Sequence, residues 1–260
     1  MKTLLKGNFD LLLTSGCTLS CKGCSYLDYL DMGNTICNFL VVDNLISILE
    51  KLSSLDLILD RLTFLGGEPT LHPDFVNLAR TASRYRGISF NELVLHTNAT
   101  FLDEKFATSI EEFDKIVISA YPVSRELIPE LESTNFFKKY NSKFYLKNVD
   151  TFLNYGQKRP DLEYSKFLNW ERCNAKNKCR VITTEGIYRC FISYNNKQDL
   201  CSFDNRQDLI DYIYSDKPIS SCENCPWPPA RMPWKSNNLE KDKKRVRQGI
   251  KFIQQLDNYA

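Results

Sequence analysis

The chain has 260 residues, 43% of them hydrophobic and 25% charged, with 34 basic against 32 acidic side chains and a formal net charge of +2. That is the balance of a globular protein with one large domain or slightly more, and it offers no strong field for nucleic acid or an anionic membrane. No apolar run reaches the ~18 residues of a membrane span. The opening stretch is interrupted by Lys6, Gly7, Asn8 and Asp10, with no small-residue cleavage site after it, so the chain reads as a soluble cytoplasmic protein.

Phe9–Thr14 is a short apolar run and reads as a strand. Val41–Leu55 has apolar residues at helical spacing with Asp43 in its first turn. Arg61–Leu65 is a strand running into Gly66, Gly67, Glu68 and Pro69, and Asp74–Arg86 is a helix opening after Pro73. Then come a strand at Glu92–Thr97, a helix at Asp103–Glu112, a strand at Lys115–Ala120, a mostly helical stretch from Ser124 to Tyr140 broken at Pro129, and a fifth strand at Lys143–Lys147. This alternation predicts parallel βαβ units. A closed eight-fold barrel takes ~250 residues, so the expected fold is α/β, a partial (β/α) barrel with a parallel sheet of five to six strands over residues 1–156. Functional groups then belong at the C-terminal strand ends. From 157 to 235 the character changes to a small cysteine-rich region, with two β runs in Arg180–Ser193 around Glu185 and Gly186. Residues 236–260 read as a C-terminal helix with Val246, Ile250, Ile253 and Leu256 on one stripe and a solvated lysine and arginine face.

The ten cysteines are unevenly placed. Cys17, Cys21, Cys24 and Cys37 lie within 21 residues, and Cys173, Cys179, Cys190, Cys201, Cys222 and Cys225 within 53. Clustered cysteines in a cytosolic chain suggest thiolate metal sites before disulfides. Cys17, Cys21 and Cys24 can wrap three corners of a [4Fe–4S] cube and leave the fourth iron open, whereas structural zinc wants four closed ligands. Around the later cysteines, a hairpin with a distant Cys-x2-Cys can close four thiolates round one metal, and by spacing alone zinc competes there.

The cysteine loop after the first strand and Gly66-Gly67-Glu68-Pro69 after the second resemble the radical S-adenosylmethionine superfamily over roughly residues 9–150. The resemblance implies an open iron that chelates S-adenosylmethionine and cleaves it to a 5′-deoxyadenosyl radical, with reducing electrons from a partner such as flavodoxin or ferredoxin. It implies that Gly66, Gly67, Glu68 and Pro69 line the cofactor, Glu68 accepting from the methionine ammonium. Gly23 stands where that family often has an aromatic, which makes Tyr26 the candidate adenine contact. Thr97, Asn98 and Ser119 lie at strand ends in reach of ribose or carboxylate, although each serves equally well as a turn former. Lys147 pairs with the carboxylate or stands solvated, and His96 reads as a core histidine.

The later cysteines resemble the auxiliary-cluster extension called twitch, a shortened SPASM. That implies one auxiliary iron–sulfur cluster, expected as [4Fe–4S], on four of Cys173, Cys179, Cys190, Cys222 and Cys225. Cys190, Cys222 and Cys225 are the firmest choices, with Cys173 and Cys179 competing for the last place. Cys37 and Cys201 are small buried hydrophobes or hydrogen-atom donors to a substrate radical. The resemblance implies hydrogen abstraction from a sugar, aminocyclitol or other alcohol, oxidised with the auxiliary cluster as electron acceptor. The alternatives are epimerisation and peptide maturation; with 16 residues before Cys17, the last needs a separate recognition protein.

Overall fold

The computed structural model describes residues 2–24, 39–154, 162–173, 176, 178–223, 225 and 230–260; Tyr26 and Cys37 lie outside them. The first half alternates as expected: β1 (Thr3–Thr14), α1 (Val42–Ser54), β2 (Leu57–Gly66), α2 (Phe75–Ser83), β3 (Phe90–Thr97), α3 (Glu104–Ser109), β4 (Lys115–Ala120), α4 (Leu127–Ser133), α5 (Asn135–Tyr140) and β5 (Phe144–Asn148). The second half holds β6 (Thr151–Asn154), α6 (Lys166–Arg172), β7 (Cys179–Ile182), β8 (Gly186–Tyr188), α7 (Phe191–Asn195), β9 (Leu200–Ser202), α8 (Arg206–Tyr214), β10 (Ala230–Pro233) and α9 (Leu239–Gln255).

The main sheet runs β5-β4-β3-β2-β1-β7-β8-β9, and β6 and β10 form a separate antiparallel ribbon. Strands β1 to β5 and β7 are parallel to their neighbours, while β7-β8-β9 is antiparallel. The order is open, with β5 and β9 at its edges, which is an α/β partial barrel. Side-chain alternation explains the layering. Phe9, Leu11 and Leu13 of β1 are fully buried in the same core as Leu45, Ile48, Leu49 and Leu52 of α1. Asn8, Asp10 and Leu12 between them take the opposite, concave face.

Three features differ from the sequence expectation. Pro129 lies in the first turn of α4, where its missing N–H costs nothing. The chain breaks instead at Thr134, whose hydroxyl caps α5 by accepting from the Phe137 N–H at 3.0 Å. Phe191–Ser193 is helical rather than extended, because the Cys190 sulfur caps α7 by accepting from the Ser193 N–H. The β7–β8 hairpin is hydrogen-bonded onto the edge of β1 through Asn8, Phe9 and Asp10, so the sheet continues past residue 156. As the apolar stripe predicts, α9 sends Val246, Ile253 and Leu256 into the common core. Among the described residues no helix is long and apolar enough to cross a membrane.

Candidate active site

The C-terminal ends of β1 and β2 meet in a tight backbone junction. The Gly67 N–H donates to the Thr14 carbonyl at 2.8 Å and the Glu68 N–H to the Gly16 carbonyl at 2.7 Å. Gly66 has φ +146°, and a Cβ there would stand 2.4 Å from the Thr14 oxygen; one on Gly67 would stand 2.1 Å from the Gly16 oxygen. Both glycines therefore let the loop carrying Cys17 lie directly on the end of β2.

That loop brings the thiols of Cys17, Cys21 and Cys24 within charge range of one another. Burial, followed by the charge of Glu68, pushes the Cys17 thiol up, and burial pushes Cys21 up to about 12. A bound metal reverses that penalty by holding thiolates. The Asn98 amide Nδ2 lies 3.6 Å from the Cys17 sulfur and 3.1 Å from the Thr18 hydroxyl. The phenol of Tyr121 is pushed up by burial and then by the charges of Cys21, Cys24 and Cys17. Its ring stacks on Phe152 at 5.7 Å and tilts against Trp234 at 6.2 Å.

Glu68 is fully buried. Its Oε1 accepts from the hydroxyls of Thr70 at 2.8 Å and Thr97 at 2.7 Å, and its Oε2 from the Asn98 N–H at 2.8 Å. Burial raises its pKa and these hydrogen bonds oppose the rise. The carboxylate thus pins the end of β3 to the end of β2.

The cysteine loop is also held from the far end of the chain. Asp242, fully buried on α9, accepts from the Ser20 N–H at 3.0 Å and the Ser20 hydroxyl at 2.8 Å. The Asn237 N–H donates to the Ser20 carbonyl at 2.7 Å and the Lys22 N–H to the Lys235 carbonyl at 2.8 Å. Trp234, just beyond β10, sets its indole beside Cys21. Gly23 has φ +73°, and the Met232 side chain fills the space a Cβ would need; a left-handed turn here favours glycine over an aromatic.

A second group of thiols forms around α6 and α7. The charges of Cys225, Cys222 and Cys173 all act on Cys190, whose thiol burial pushes up to about 12, and Cys173 also acts on Cys222. Asn169 is buried on α6 and donates to the carbonyls of Cys222 at 2.8 Å and Cys225 at 2.9 Å. Asp199 holds the turn before Cys222 by accepting from the N–H groups of Ser220 at 2.9 Å and Ser221 at 2.8 Å. The Arg189 guanidinium, 4.6 Å over the Trp170 ring, lies within charge range of Cys222 and Cys190. Among the described residues no three histidine, cysteine, aspartate or glutamate side chains converge as they do on a single metal ion.

The radical SAM superfamily profile matches residues 11–165. The chain belongs to the radical SAM superfamily. A comparison with curated proteins returned no match. Among solved structures, BtrN in complex with AdoMet and 2-DOIA is similar at a TM-score of 0.55 and 19% identity, over 83% of this chain and 85% of that one. SuiB of Streptococcus suis, bound to S-adenosylmethionine, reaches a TM-score of 0.44 at 15% identity, over 80% of this chain and 65% of its own. The radical SAM core brings an iron–sulfur cluster and S-adenosylmethionine, and Cys17, Cys21 and Cys24 are the thiols that fit the first.

Against this radical SAM frame the expected residues divide. Gly66, Gly67, Glu68, Pro69, Thr97 and Asn98 gather beside the cysteine loop. The polar groups of Glu68 and Thr97 are engaged within the protein, so what the two glycines accommodate here is the loop backbone. Ser119 is half-buried and hydrogen-bonds Tyr121. Lys147 is exposed on β5, paired in register with Ser119. His96 is half-buried on the concave face; burial, then Lys147, Lys115 and Arg61, pushes it down to about 4, so it is neutral at physiological pH. Cys201 sits on the edge strand β9 beside Asp208 and Asp204 and is not gathered with either thiol group. The side chain of Cys179 lies outside the described residues. Sequence reasoning placed Tyr121 only as part of a strand end and missed Trp234 and Asp242. Asp242 had a legible signal, as a lone acid at i, i+4 and i+7 spacing with Val246 and Gly249 on the buried stripe.

Proposed function

We propose that this radical SAM enzyme oxidises an alcohol carbon of a small polar molecule, such as a sugar or aminocyclitol, and passes one electron to an auxiliary iron–sulfur cluster held by a twitch-like extension. The observation that carries the reading is the second thiol group, in which Cys225, Cys222 and Cys173 lie within charge range of Cys190, and Cys173 within that of Cys222. Four thiolates close a cluster completely, which suits it to moving electrons rather than binding substrate. Cys17, Cys21 and Cys24 would hold the cluster, which with S-adenosylmethionine would supply a radical able to take a hydrogen atom from the substrate carbon. The substrate radical then loses its hydroxyl proton and one electron, leaving a ketone.

The chain's residues hold this arrangement. Cys17, Cys21 and Cys24 ligate the first cluster, with Asn98 donating toward Cys17. The ribose, methionine and adenine contacts fall to the C-terminal strand ends, with Thr97, Asn98 and Ser119 as candidates. Arg189 offsets the negative charge of the second group. Reduction comes from a flavodoxin- or ferredoxin-type donor. BtrN, the similar fold, is described with AdoMet and 2-DOIA, which makes aminocyclitols the first substrates to try. The test is anaerobic reconstitution followed by turnover of candidate alcohols deuterated at the carbinol carbon. About eight irons per chain and deuterium in 5′-deoxyadenosine with a ketone product support the reading; about four irons, or an epimerised alcohol as product, sink it.

A further inference from the structure

The concave face of the sheet carries polar groups that the cluster cradle does not use. In register across the strands stand Val181, Asp10, Thr63, Val94 and Lys115. Their neighbours Phe9, Leu11, Leu62, Phe64, Leu93 and Leu95 all point into the helix-covered core, so this row faces the inside of the partial barrel. Thr63 is 1% exposed, and its hydroxyl has no hydrogen-bond partner among the described residues. Asp10 is half-buried beside it and meets no hydrogen bond or ion pair there; burial alone pushes its carboxyl up to about 7. Unpaired groups of this kind cost stability, a carboxylate more than a hydroxyl, and no side chain among the described residues pairs with either. Arg61, in register with Asn8 on the row below, is held by Glu92 at 2.7 Å and Asn8 at 2.8 Å. Asp10 lies four residues below Thr14, about 13 Å along the strand, with half-buried Leu12 between them on the same face.

We propose that Asp10 and Thr63 form the floor of the substrate site and bind an ammonium group with a hydroxyl one or two carbons away. Asp10 supplies the countercharge a cation needs in a low-dielectric floor. Thr63, its cross-strand neighbour on the same face, hydrogen-bonds the adjacent hydroxyl. Neutral His96, further along the same face, offers a hydrogen bond without repelling the ammonium. The inference rests on the alcohol-oxidation reading for the position of the reacting carbon.

The test titrates reconstituted enzyme and S-adenosylmethionine, without reductant, with trans-2-aminocyclohexanol and with trans-cyclohexane-1,2-diol. The wild type is expected to bind the amino alcohol at least ten-fold tighter than the diol. Asp10→Asn should erase that ratio, and Thr63→Val should weaken both probes several-fold. Because the first readout is a ratio within one preparation, partial loss of folded protein does not move it. Equal affinities in the wild type, no binding of the amino alcohol, or a preference that survives Asp10→Asn each overturn the proposal. A carbinol-deuterated amino alcohol then separates the two readings. Retained preference without deuterium in 5′-deoxyadenosine breaks the oxidation reading, and deuterium transfer without preference breaks this one.

Discussion

The two thiol groups are built in opposite ways. The first lies on the rim of the parallel sheet, where Gly66 and Gly67 dock the cysteine loop onto the end of β2 and Asp242 grips Ser20 from α9. The second is assembled from short pieces: the end of α6, a turn at Ser220–Cys222, and Cys190 at the cap of α7. A negative carboxylate, Glu68, acts on the first group, and a cation, Arg189, acts on the second. On the proposed reading, three thiols on a rigid rim would keep a metal corner available, while four thiols on short elements would wrap a metal and draw local order from it.

The largest expected effect comes from removing the first group. The Cys17→Ala, Cys21→Ala, Cys24→Ala triple variant should form no 5′-deoxyadenosine with S-adenosylmethionine and dithionite, and its iron should fall from about eight to about four per chain. Removing Cys190 and Cys222 instead should give the same iron loss with deoxyadenosine still formed but no ketone. If both variants lose the same activity, the division of labour is wrong. If Cys173 fills the fourth place, as proposed, a single Cys179→Ala replacement leaves iron near eight, whereas a fall toward four assigns the place to Cys179; iron content by colorimetric assay decides between the two.

The clamp is the next test of the contrast. Asp242→Ala removes the acceptor for two hydrogen bonds and leaves the Ser20 N–H unpaired, at a cost of about 2–4 kcal/mol. The first cluster should then be lost faster than the second on exposure to a chelator, followed by electron paramagnetic resonance. Equal loss from both would show that α9 steadies the whole protein rather than the loop.

The first half of the fold was legible because each parallel strand is a short apolar run between amphipathic helices, and the motif residues fall at strand ends as that topology demands. The second half was less so. Three-residue strands such as β8 and β9 carry no period to read. Cys190 looked like part of a strand because its capping role depends on the helix that follows. The approach of Cys173 to Cys190 and Cys222 is long-range, and the spacing, although it suited Cys173 better than Cys179, left both in play. The roles of Tyr121 and Trp234 were invisible for the same reason: they come from the β6–β10 ribbon, which brings the chain back across the cysteine loop.

The smallest predicted effect separates a site residue from a structural one. Asp10 has a folded-state pKa of about 7 against an ordinary 3.8. Below about pH 4 both states hold the proton. As pH rises from 4 to 7 the unfolded chain ionises while the folded protein does not, so Asp10 lowers stability progressively, and the loss levels off above 7. Asp10→Asn removes that loss. The variant should be more stable than the wild type, by a margin that grows by about 1 kcal/mol between pH 6 and pH 8, the full shift being reduced because the group is partly solvated. In a chain of this size that is about 2–4 °C in the thermal midpoint. A saturating amino alcohol should cancel the advantage by stabilising only the wild type. A margin that is the same at both pH values would show that Asp10 ionises as an ordinary surface carboxylate, and the concave face would then hold no charged floor.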